Sequence, residues 1–105
     1  MSILVRRFAQ IDTIFLEFEE GLFSISEKRE LEKVLVNIFH HYILDVILNN
    51  LENPDRIIFL EKVTVSDEYN LIDFLRAKII GVEELLKKEC EQLRLEILDD
   101  LKKGK

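Results

Sequence analysis

From Leu31 to Ile47 apolar residues return at steps of three and four without a miss: Leu31, Val34, Leu35, Ile38, Phe39, Tyr42, Ile43, Val46 and Ile47. Only an α-helix brings residues at that spacing onto one side, and the stripe covers more than four turns. Ser24-Ile25-Ser26-Glu27 offers a capping box ahead of it, with Ser24 or Ser26 as N-cap. Asn49, Asn50 and Asn53 mark its end, so the spacing predicts a long helix over about 27–49. Val36, Leu44 and Leu48 widen the apolar arc beyond one face. A helix of that kind touches neighbours on more than one side.

The rest of the chain follows the same period. Val82, Leu85, Leu86, Cys90, Leu93, Ile97, Leu98 and Leu101 form a second long stripe, opened by Glu83 and Glu84 and closed by Lys102 and Lys103. Acid at the start and base at the end suit the helix dipole, which predicts a helix over about 82–102. Between the two, Pro54 suits the first position of a shorter helix with Asn53 as N-cap, carrying Ile57, Ile58, Phe59, Leu60 and Val63. Ser66, followed by Asp67 and Glu68, opens another, with Leu71, Ile72, Leu75 and Ile79 inward and Phe74 alongside. Ile80-Gly81 breaks the chain before the last helix.

Residues 3–19 are read as one further helix on the stripe Leu4, Phe8, Ile11, Phe15 and Phe18, with Gly21 as its stop. Residues 13–18 also suit a strand, being rich in β-branched and aromatic types. With only three glycines and one proline, the chain has few turn residues for an all-β fold. The expectation is an all-α bundle of four to five helices in a single domain spanning 1–105, with 1–23 as a separately packing or partner-binding segment. The two long helices would pack on each other.

Charge narrows the partners. The net charge of −6 divides along successive quarters of the chain as −2, −2, −1 and −1, so there is no basic lobe. Nucleic acid and anionic membranes both require clustered Lys and Arg, and neither is expected here. No apolar run approaches the roughly 20 residues that span a bilayer, and the start lacks the order of a secretory signal. Cys90 is the sole cysteine, which suits a reducing compartment and a cytoplasmic location.

The blocks Phe18-Glu19-Glu20-Gly21-Leu22-Phe23-Ser24-Ile25-Ser26-Glu27-Lys28-Arg29-Glu30-Leu31 and Phe74-Leu75-Arg76-Ala77-Lys78-Ile79, then Val82-Glu83-Glu84-Leu85-Leu86-Lys87-Lys88-Glu89, carry a resemblance. Over about residues 15–100 the chain resembles a family of small uncharacterised bacterial proteins, domain of unknown function family 5663. That family often has proline where this chain has Ile80 or Gly81. The resemblance implies a helical domain and supplies no activity, cofactor or site residue.

Candidate chemistry is sparse. His40 and His41 are adjacent, so on a helix they point about 100° apart; with Asp45 they are candidate ligands for a metal or small molecule, or ordinary surface histidines. Cys90 is either a reactive thiol or a small buried hydrophobe. The pairs Glu19-Glu20, Glu83-Glu84 and Asp99-Asp100 suit acid–base work only with a pocket that shifts one pKa. No Gly-rich phosphate loop, zinc signature or nucleophile elbow is present. The reading is therefore of a non-enzyme with no cofactor, working through a protein partner or self-association. Its surplus of apolar residues points to a contact surface built from Leu4, Phe8, Ile11, Phe15, Phe18, Leu44 and Leu48. Two other readings are a helical bundle binding a metal or small molecule, and an acidic inhibitory or antitoxin-like protein.

Overall fold

A computed structural model describes residues 3–17, 23–65 and 68–103 of the chain. Among them the fold is all-α: α1 (Ile3–Phe8), α2 (Asp12–Leu16), α3 (Ile25–Asn49), α4 (Asn53–Val65), α5 (Glu68–Lys78) and α6 (Val82–Lys103). The long helices α3 and α6 pack on each other, as the two stripes require. α1 lies against both, and the α4–α5 pair adjoins the start of α6 through α5. The molecule is drawn out along the long helices, with principal extents of 46 × 23 × 19 Å.

The sixth helix arises because the first candidate element is not continuous. Gln10 adopts a left-handed backbone with φ of 49° and ends α1. The Ala9 amide donates to the Val5 carbonyl at 2.9 Å, closing the last turn. Thr13 then donates its amide (3.0 Å) and its hydroxyl (2.7 Å) to the Gln10 carbonyl, restarting the chain as α2. The break reorients α2, so Ile11 and Ile14 enter the core while Phe15 sits at its edge. The strand alternative is overturned over its described part, since 12–16 is helix. Gly21 lies outside the described residues.

α3 begins as its capping box dictates. Ser24 Oγ accepts from the Glu27 amide and Glu27 Oε1 accepts from the Ser24 amide, both at 3.1 Å. Leu35, Phe39, Ile43 and Ile47, each four residues after the last, form its buried seam. Val36, Leu44 and Leu48 are half-buried on its broader side, so the wide arc does meet neighbours. Val34 and Ile38 are exposed, contrary to their place in the sequence stripe. A 3–4 stripe is wider than the seam one neighbouring helix can cover.

The turn from α3 to α4 is held by one side chain. Arg56 Nε donates to the carbonyls of Leu48 (2.8 Å) and Leu51 (2.9 Å), and the Leu48 carbonyl also accepts from the Leu51 amide at 3.3 Å. Asn53 is inside α4 rather than its cap, because the Arg56 amide donates to the Glu52 carbonyl. At the far end, Ile79 folds back into the core and Gly81, with φ of 69°, turns the chain into α6. The proposed cap Ser66 lies outside the described residues.

One apolar cluster joins all six helices. Leu4, Val5 and Phe8 of α1 share it with the α3 seam, with Phe59, with Leu71, Ile72 and Leu75 of α5, and with Val82, Leu86 and Cys90 of α6. No described polar or charged residue is buried in it.

Candidate functional site

The residues expected to form a contact surface are placed differently from one another. Leu4, Phe8 and Ile11 are core residues, at most 8% exposed, and so are not a surface. Leu4 and Phe8 are carried inward by α1, which packs on α3 and α6, and Ile11 enters the core just after the break at Gln10. Phe15 is half-buried, with its ring edge-on to Phe23 at 6.2 Å between centroids. Leu44 and Leu48 are half-buried against the core. Phe18 lies outside the described residues.

The apolar surplus surfaces elsewhere. In α4 four consecutive apolar residues, Ile57 to Leu60, cannot all face one neighbour, because successive residues turn through about 100°. Phe59 takes the inward position and is fully buried. Ile57 points nearly opposite and is 63% exposed; Ile58 and Leu60, on the flanks, are 40% and 45% exposed. The sequence assigns these residues to a helix without giving it a phase, and the helix geometry around Phe59 sorts them.

The charges of α4 are sorted by the same geometry. Arg56 is turned to the end of α3, as above. Asp55 pairs with Lys78 of α5 at 3.5 Å. The Lys62 ammonium lies 5.6 Å from the ring centroid of Phe74 in α5. These three are half-buried, which leaves Glu61 as the exposed charge of the helix. The outward side of α4 thus carries Ile57, Ile58 and Leu60 around a single carboxylate.

Cys90 is fully buried, and burial pushes its thiol up to about 11, away from the thiolate that reactivity needs. The His40 and His41 rings meet edge to face at 5.5 Å. Among the described residues no three His, Cys, Asp or Glu side chains converge as a metal site. Glu83 accepts from Arg76 Nε (2.6 Å) and Arg7 (3.2 Å), tying α6 to α5 and α1, and the two guanidinium groups hold its carboxyl below the ordinary carboxylate value. Asp99 pairs with Lys103 at 2.9 Å, while Glu19 and Glu20 lie outside the described residues. Tyr42 donates to Glu89 at 2.7 Å, a cross-link between α3 and α6 that the sequence stripe does not reveal. No described helix is long and apolar enough to cross a membrane.

Comparison with protein families, with characterised proteins and with solved structures finds no match. The resemblance carried by the Phe18–Leu31 and Phe74–Glu89 blocks therefore rests on those residues alone.

Proposed function

We propose that this chain is a non-catalytic protein-interaction module of the cytoplasm that meets its partner through α4. The observation that carries the reading is the exposed trio Ile57, Ile58 and Leu60 on one helix, outside the buried cluster that forms the core. Exposed apolar side chains scattered singly are ordinary, but grouped ones mark contact sites. A single buried thiol suits a reducing compartment. The even acidic charge speaks against nucleic acid as the partner.

Site-specific photo-cross-linking tests the reading. A photoreactive residue replaces Ile57 in one variant and Leu95 of α6 in another; the two positions are equally open, at 63% and 61%. Position 57 is expected to give discrete protein adducts in native cells, and position 95 to give few. Equal labelling from both, or none from position 57, would overturn the proposal.

A further inference from the structure

We infer that α1 and α2 form a strap that opens as one unit from α6 while α3, α4, α5 and α6 stay folded, and that salt controls the opening. Polar ties hold the segment at three places along α6. Arg7 donates to Glu83 at 3.2 Å, Arg94 donates to the Ala9 carbonyl at 3.2 Å, and Lys102 stands 4.0 Å from Glu17, the residue that caps the end of α2. Both ion pairs lie at the surface, each side chain between 30% and 57% exposed, so dissolved ions screen them. The turn between the two helices is strained, because Gln10 holds a left-handed backbone at φ of 49° despite its Cβ. Helices of six and five residues do not persist alone. Once the ties and apolar contacts release, the segment therefore leaves together.

The other four helices carry their own ties. Tyr42 joins α3 to α6 through Glu89 (2.7 Å), and Arg56 holds the turn from α3 to α4. Lys78 joins α5 to α4 through Asp55 (3.5 Å), and Arg76 joins α5 to α6 through Glu83 (2.6 Å). None of these needs α1 or α2. Glu83 is shared, yet its shorter bond is to Arg76, so it stays paired when Arg7 departs. Leu35, Phe39, Ile43, Phe59, Leu75 and Leu86 remain as a core. The opening has a chemical consequence. Glu83, Cys90 and Arg94 fall at i, i+7 and i+11, within about 40° of one another around α6, and Glu83 and Arg94 both reach the α1 end. Cys90 lies between them beneath the strap, so opening uncovers the chain's one thiol. The inference is independent of the contact reading for α4.

Native-state hydrogen exchange followed by NMR on the full chain is the test. The Ala9 and Ile14 amides, which donate to the Val5 and Ile11 carbonyls, are expected to exchange through one opening, about tenfold or more populated than the opening that frees Phe39 and Ile43 in the α3 seam. Urea should promote it less steeply than global unfolding, because less surface is exposed. Raising salt from roughly 0.02 to 0.5 M should speed exchange in the strap roughly threefold, and Arg7→Gln should do the same. Gln10→Gly should slow it roughly threefold by relieving the left-handed backbone. Lys78→Gln, which cuts a tie between α4 and α5, should leave it unchanged. Modification of Cys90 by a thiol reagent should follow the same responses. Exchange of Ala9 and Ile14 only together with Phe39 and Ile43, or a strap opening indifferent to salt, to Arg7→Gln and to Gln10→Gly, would overturn the inference. Cys90 modified only through global unfolding would overturn its place beneath the strap.

Discussion

Tyr42, Glu83 and Cys90 show how single side chains of the long helices tie them into the fold. The Glu89 carboxylate beside Tyr42 favours the protonated phenol and pushes it from 10.0 up to about 12. Because the folded value is the higher one, the stabilisation is complete below pH 10 and is lost as pH rises toward 12. An alkaline absorbance titration should show a late tyrosine component that Tyr42→Phe removes; its persistence in that variant would refute the assignment. Glu83 runs the other way. Its folded value is lowered by Arg76 and Arg7, so its contribution is present above the ordinary value of 4.5 and is lost as pH falls through the folded value. The melting temperatures of wild type and Glu83→Gln should therefore differ most near neutrality and converge in acid. The buried Cys90 thiol should react with a thiol reagent only as fast as the protein opens, reaching full reactivity in denaturant. None of these partners is legible in the sequence. The residues of each pair lie far apart in the chain or on different helices, and only the packed register of α3 on α6 brings Tyr42 to Glu89.

At the level of elements, sequence and structure agree where a local rule suffices. The capping box at Ser24, the α3 stripe and the α6 stripe all depend on residues within a few positions, and each is present as read except that Val34 and Ile38 of α3 face outward. Ser24→Ala is expected to cost about 1 kcal/mol by chemical denaturation. Gly81→Ala is expected to cost about 1–2 kcal/mol, purely from its left-handed backbone, because an added Cβ meets nothing within 4 Å. The break at Gln10 was not legible, since glutamine carries no turn signature and the apolar stripe runs straight through it. Arg94 of α6 donates to the Ala9 carbonyl at 3.2 Å and so satisfies the end of α1 from a distance. The inward and outward sides of α4 were equally hidden, because four apolar residues in a row give no phase. Phe59→Ala should cost about 3–5 kcal/mol, whereas Ile57→Ser and Leu60→Ser should each stay within about 0.5 kcal/mol. That difference separates the side that folds the chain from the side left open.

Across the whole molecule, shape explains why apolar surface is left over. A radius of gyration of 15.3 Å exceeds the roughly 13 Å of a compact chain this long, and an elongated bundle exposes more of every helix. The N-terminal helices lie in the common cluster with α3 and α6, so Leu4, Phe8 and Ile11 serve the fold, and the contact role is proposed for α4. The most direct test is size-exclusion chromatography with light scattering on native extract, comparing the full chain with the Ile57→Ser/Leu60→Ser variant. The wild-type protein should elute in a complex larger than its 12.5 kDa monomer, and the variant, equally well folded, at monomer size. Monomeric elution of both, or the same complex from both, would contradict a contact role for α4.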